Sequence, residues 1–367
     1  MTVLDLEHLA AIELPTTDEE IWRYSRIGDL DLSVYHPVDT TPDVAGPTDY
    51  VEVGGTPVDL FPDEQPDVFA GINLRSADQV RVVVPANTVV DGSIVITHTV
   101  PAGGALVSPR LIIEAGENSE VTIVERFVSG ADGAALVLPV FQAMVGQAAR
   151  VNYLAVNELS EQAWSLGNQQ AVGQRDSQTL LATVALGGDY ARVSTNARVS
   201  GRGASTRQVA LYFAGGTQMH DFRTTQDHDA PNTNSDLLFK GAVQDEAWSV
   251  YTGLIKIREH AGGTAAYQTN RNLTLSDGAW AESVPNLDIR TNDVKCSHAS
   301  TVGPIDEDQR FYLESRGVRP EIAERLVVLG FFDEVLSQLP AHDLATELRA
   351  RVAAKLSIGL DAEEGDR

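Results

Sequence analysis

From residue 75 to residue 302 the chain reads as one short strand after another. Runs such as "QVRVVVPANTVV", "GSIVITHTV", "PRLIIEAGENSEVTIVERFV", "STRQVALYFAG" and "WSVYTGLIKI" are rich in β-branched residues, and Gly, Asn and Asp separate them. Helical spacing is scarce between them, and the strands recur roughly every ten residues. An open sheet of that many strands curls or splits. The all-β solutions are a sandwich, a barrel, a propeller or a coiled solenoid. No propeller signature recurs and no strict period stands out, so solenoid and sandwich fit the pattern equally.

The flanks differ. Residues 1–35 read as a helical region, with a capping box at Thr17–Glu20 opening the aromatic patch "IWRYSRI". Residues 36–74, rich in Pro, Gly, Thr and Asp, read as a linker without helical period. Residues 303–367 turn helical again. Asp306 to Gln309 can cap "RFYLESRG", which ends at Gly317. Pro320 opens a second helix that Gly330 interrupts. Leu344, Leu348, Val352 and Leu356 then recur every four residues as one apolar stripe. That stripe needs cover, either from the β body or from a partner protein.

The formal charge is −25, with 52 acidic residues against 27 Lys and Arg. Such a field repels nucleic acid and anionic membranes. It reads as a solubility bias, with a basic partner as the sharper alternative. No apolar run reaches the length of a membrane span, and the N-terminus lacks the basic and apolar regions of a secretory signal. The single cysteine, Cys296, forms no internal disulfide and suits a reducing compartment. The expected location is cytoplasmic.

Motifs for common chemistries are missing: no P-loop, no H-E-x-x-H, no C-x-x-C and no G-x-S-x-G occurs. The chain therefore has no P-loop ATP site of its own. His220, Asp221, Asp227, His228 and Asp229 lie in one polar stretch, which reads as a metal ligand set or as a long turn held by Asx-type bonds. Paired carboxylates on a solenoid can hydrolyse glycosides, and that is the enzymatic alternative. In "NDVKCSHASTVG", strand alternation puts Val294, Cys296 and His298 on one face and Lys295 and Ser297 on the other. If that face points inward, Cys296 is a small buried hydrophobe. If it is exposed, a thiol and an imidazole offer half of a metal site.

A resemblance runs through these residues. "LPTTDEEIWRYS", "QDHDAPNTNSDLLFKG", "AYQTNRNLTLSDGAWAESVPNLDI", "DVKCSHASTVGPIDEDQRFYLESRGV" and "LGFFDEVLSQL" resemble successive blocks of the SufB/SufD family of iron–sulfur cluster assembly proteins. The likeness is densest from 205 to 340. Ala299 stands where the B-type member has Glu, and Arg271 stands near a B-type cysteine, so the chain looks D-type. Ala299-Ser300 departs from the usual D-type Gly-Ala, a mild change unless that glycine needs positive φ.

The resemblance implies a mainly β fold: a right-handed parallel β-helix flanked by N- and C-terminal α-helical regions. It implies a non-enzymatic subunit that pairs with a SufB-like paralogue and binds a SufC-like ATPase through its C-terminal helices, with Leu344, Leu348, Val352 and Leu356 as docking residues. It implies that His298, and less strongly Cys296, ligate a nascent iron–sulfur cluster shared with SufB. A homodimeric interaction protein without cluster chemistry is the alternative.

Overall fold

In the computed structural model, which describes residues 9, 11–64 and 66–364, almost every strand pairs in parallel with the strand one full coil away. Ser205–Ala214, for example, lies beside Asn234–Val243, with Val209 opposite Leu238. One sheet runs from Asp78–Val84 through Met219–His228 and Trp248–Ile257 to Trp280–Ile289. The second runs from Val89–Val100 through Gln178–Ala185, Ser205–Ala214, Asn234–Val243 and Thr264–Thr274 to Val294–Gly303. The result is a β-solenoid of about eight turns, and the sandwich reading is excluded.

One residue per coil turns the chain between the sheets. Asn87, Asn118, Ala148, Asp176, Gly203, Asn232 and Gly263 all adopt positive φ and follow one another at nearly one-coil intervals. Asn, Asp and Gly tolerate this left-handed region best. The Asn118 amide donates to Asn87 Oδ1 at 3.0 Å, so the corner side chains stack as a ladder.

The lumen changes character along its axis. Val80, Val82, Ile94, Ile96, Leu111, Ile113, Val121, Ile123 and Val151 fill the early coils and are fully buried. One polar group interrupts them, where His98 Nε2 lies 2.9 Å and the Tyr153 hydroxyl 2.5 Å from the Glu125 carboxylate. The later coils bury Thr206, Gln208, His220, Thr224, Gln226, His228, Gln268, Asn270 and Asn272. Tyr212 reaches along the axis to Asn272 Oδ1, 2.6 Å away. It does so through the space left by Gly241, where a Cβ would collide with its ring.

Outside, the N-terminal residues pack on the first sheet. Trp22, Ile27, Leu30 and Leu32 join Leu136, Trp164, Tyr190, Met219 and Val250 in one cluster. The expected capping box at Thr17 is replaced one residue earlier, where Glu19 Oε1 accepts from the Thr16 N–H at 3.1 Å. It introduces a short 3-10 turn, Glu20–Trp22. The expected linker also carries structure. Helix α1, Val68–Ser76, is capped by Asp67 and buries Phe69 and Ile72 in the same cluster. Its apolar content was hidden by the Pro- and Asp-rich residues before it.

Three helices follow the solenoid: α2, Glu307–Ser315; α3, Pro320–Leu336; and α4, His342–Glu364. Asp306 caps α2, and Gly317 with φ +85 follows its end, as the sequence suggests. Gly330 does not interrupt α3, which runs unbroken; a single glycine costs a helix only about 1 kcal/mol. The stripe on α4 is closed rather than open. Leu348, Val352 and Leu356 are buried, with Leu344 partly so, against Val184, Val209, Leu211 and Phe213 of the second sheet. That sheet alternates apolar residues outward here, so it supplies the cover itself.

Two of the four lysines fix this packing. Lys240 Nζ donates to the Phe331 carbonyl at 2.8 Å and pairs with Glu334 at 2.5 Å. Lys355 Nζ donates to Leu186 O at 2.7 Å and Gln218 Oε1 at 2.6 Å. Burial brings the Lys355 amine down to about 8.

The ends of the solenoid differ. At the N-terminal end, Asp43–Ala45 and Val51–Val53 pair antiparallel with the first strands of the two sheets. At the C-terminal end the edge strands, Trp280–Ile289 and Val294–Gly303, are parallel and ten residues long each, with a hydrogen-bonded neighbour on one side only, as the three-residue N-terminal strands also have.

Candidate functional site

The C-terminal mouth of the solenoid is where the sequence placed its chemistry. Val294–Gly303 lies in parallel register on Thr264–Thr274, with Cys296 over Ala266 and His298 over Gln268. Ala266 and Gln268 are buried lumen residues, so the face carrying Val294, Cys296 and His298 is the inward one. No further coil covers it. Inward-facing residues are therefore exposed by position, which the two readings drawn from the sequence had treated as exclusive.

Cys296 and His298 differ in consequence. Cys296 is half-buried against Ile255, Ile257, Ala261 and Ala266. That apolar contact pushes its thiol above the ordinary range, which favours the protonated, poorly ligating form. His298 stands exposed at the mouth. The Ser300 hydroxyl donates to Ser283 Oγ at 2.6 Å, joining the two sheets across the opening. In the same coil Leu287, Ile289 and Val302 on the inward face and Trp280 on the outer face of the first sheet are 38 to 56% exposed. The mouth thus combines unpaired backbone, exposed apolar side chains and two potential soft or borderline ligands, the features of a surface that another chain completes.

Among the described residues, no group of three or more His, Cys, Asp or Glu could hold a metal ion. Cys296 and His298 alone do not make up a metal-ligand set. The polar stretch from His220 to Asp229 is neither a long turn nor a metal site. Met219–His228 is a strand, so its side chains alternate between lumen and surface. His220 faces inward, its Nε2 3.3 Å from Gly187 O, and burial drives its imidazole down to about 3. His228 lies 2.8 Å from both Thr233 and Ser235 hydroxyls and falls to about 4. Asp221 faces outward and pairs with Arg192. Asp227 binds Arg198 at 3.0 Å and Arg258 at 2.8 Å. Asp229 pairs with His260.

A second exposed surface lies beside the mouth. Helix α2 buries none of its residues, and Phe311 and Tyr312 are 70% and 57% exposed. Ile322 and Leu326 of α3 extend the patch. A groove of about 1150 Å³ runs between these helices and the sheet, lined by Arg271, Leu273, Tyr312, Leu326 and Phe331 among others. Sequence reading passed over this surface because α2 has no apolar stripe. The adjacent aromatics in "RFYLES" were the available signal.

Comparison with known proteins decides the family. Residues 97–331 match the model of the SUF system FeS cluster assembly SufBD core domain. An iron–sulfur cluster assembly SufBD family protein of Mycobacterium tuberculosis is 32% identical over 96% of this chain and 92% of its own length. The chain belongs to the SufBD family. Two relatives bearing the D-type name are similar as well. The iron–sulfur cluster assembly protein SufD of Bacillus subtilis is 30% identical, covering 74% of this chain and 63% of that protein. SufD of Escherichia coli is 29% identical, covering 67% and 58%. This SufBD chain keeps an extended backbone at Ala299 and Ser300, neither of which has positive φ. The departure from Gly-Ala is accommodated by the strand.

Among the described residues, no helix of this SufBD chain is long and apolar enough to cross a membrane.

Proposed function

We propose that the chain is the D-type, non-enzymatic subunit of a cytoplasmic SUF scaffold, and that a SufB-type paralogue completes the open mouth of its solenoid. The observation that carries this reading is the pair of one-sided edge strands, Trp280–Ile289 and Val294–Gly303, with His298 at their opening. Edge strands of this kind recruit another chain through their free N–H and C=O groups. The nascent iron–sulfur cluster is the cargo of that junction. His298 supplies an imidazole to it, and the partner supplies the thiolates that clusters prefer. Cys296 serves packing first.

The SufC-type ATPase docks on the exposed aromatic patch of α2 and α3, not on the α4 stripe, which the second sheet already covers. Nucleotide hydrolysis then belongs to that partner, which agrees with the missing P-loop. A homodimer through the same mouth is opposed by a charge of −25 on each copy.

Mixing the purified chain with SufB- and SufC-type proteins and measuring mass by light scattering tests the assembly. A three-component complex is expected. A homodimer that ignores both partners sinks the reading. In cells, His298→Ala is expected to lower cluster assembly strongly and Cys296→Ala weakly.

A further inference from the structure

Beneath His298 the lumen ends in an unusual floor. Gln268 lies directly opposite His298 in the parallel register, and both side chains face the lumen. Gln268 is only 2% exposed, yet its Oε1 has no hydrogen-bond partner. A buried amide oxygen without a donor is costly and calls for a reason. Its neighbour across the lumen is Gly253. A Cβ there would lie 2.5 Å from Gln268 Nε2 and 2.7 Å from Oε1. The absent side chain at 253 is therefore what lets the amide lie across the axis, one coil below the mouth.

We propose that Gln268 is the positioning residue for His298: its free Oε1 accepts one ring N–H of the imidazole, which holds the other ring nitrogen, with its lone pair, facing out of the mouth. Adjacent rungs of a parallel sheet are about 4.8 Å apart, within reach of two side chains that share a face. The oxygen is acceptor-only, so it selects a tautomer that donates downward. Histidines that bind metals commonly have their second nitrogen fixed in this way. The purpose assigned to the arrangement rests on His298 being a ligand of the cluster. The two residues it joins both belong to this chain, so the tautomer is read without any partner.

The test reads the His298 tautomer in the isolated, metal-free chain by long-range ¹H–¹⁵N correlation, above the imidazole titration range. His298→Gln identifies the resonance. Wild type is expected to hold one tautomer, Gln268→Glu to keep it because an acceptor remains, and Gln268→Leu to give a mixture. Gly253→Ala, which crowds the amide, is expected to give the mixture too and covers the case in which the Leu variant does not fold. A mixture already in wild type, or a single tautomer that survives both Gln268→Leu and Gly253→Ala, overturns the proposal. Failure to pair with a SufB-type protein would overturn the functional reading and leave the tautomer result standing.

Discussion

The early coils have an almost wholly aliphatic lumen, whereas the later coils mix polar groups with aromatics inside and bury further apolar surface outside. Up to Leu181 the lumen is mostly Val, Ile and Leu. From Thr206 onward hydroxyls, amides and two imidazoles share it with Tyr212, Phe222, Phe239 and Tyr251, and the second sheet turns Val209, Leu211, Phe213 and Leu238 outward under α3 and α4. The two arrangements solve one problem. Each coil must remove apolar surface from water, at roughly 25 cal/mol per Å². Where polar groups take a share of the lumen, more of that surface has to be covered from outside. The C-terminal helices are thus part of the core of the later coils, which explains why the α4 stripe is closed.

The largest test of this contrast is Phe332→Ala on α3, whose ring is fully buried beside Phe213. Truncation of such a ring costs about 3–5 kcal/mol. Chemical denaturation is expected to show that loss in the solenoid transition itself. A separate, earlier helix transition with the solenoid midpoint unchanged would make the helices a mere appendage.

The second test is acid. His220 and His228 have folded values of about 3 and about 4, below the ordinary histidine value of 6.5. Between those values and 6.5 the unfolded chain binds more protons than the folded one, so stability falls as pH falls through that window. Across the full window His228 contributes about 3 kcal/mol at most and His220 about 5. Urea midpoints measured between pH 7 and pH 4 should decline, and His220→Gln should flatten the slope. An unchanged slope would mean that His220 is not held neutral in the lumen.

Third, Gly241→Ala should cost about 1–3 kcal/mol, because the new methyl displaces the Tyr212 ring that spans two coils. Retention of wild-type stability would show that the polar lumen yields where the aliphatic one would not. The smallest effect on stability is expected at the mouth. Trp280→Ala, 56% exposed, should change the melting free energy by less than about 0.5 kcal/mol. It should still weaken pairing with a SufB-type partner at least about tenfold, as loss of an aromatic interface anchor does. Unaltered affinity by interferometry would move the interface away from Trp280.

The strand content of residues 75–302 was legible because β-branched runs and turn residues are local signals. The solenoid was not, since each strand's partner lies nearly thirty residues away and the pairing leaves no local trace. The ladder of positive-φ residues from Asn87 to Gly263 carries the period. Its spacing drifts, and Ala148 stands where an Asn, Asp or Gly would announce it. At the site, alternation correctly put Cys296 and His298 on one face. Their exposure follows from the absence of a next coil, a property of the whole chain. The α4 stripe was likewise visible while its cover was not. Only the resemblance to the SufB/SufD family supplied the fold ahead of the structure.

The two ends of the solenoid also set how far assembly can proceed. The edge strands of the N-terminal end, Asp43–Ala45 and Val51–Val53, are three residues long, against ten for Trp280–Ile289 and Val294–Gly303, so the N-terminal end offers far less backbone to another chain. A rod that is sticky at both ends stacks head to tail without limit and makes fibres. A rod with one sticky end stops at two. Pairing through the C-terminal mouth, as proposed, therefore counts to two, and three-residue strands at the opposite end leave little edge for growth into a filament.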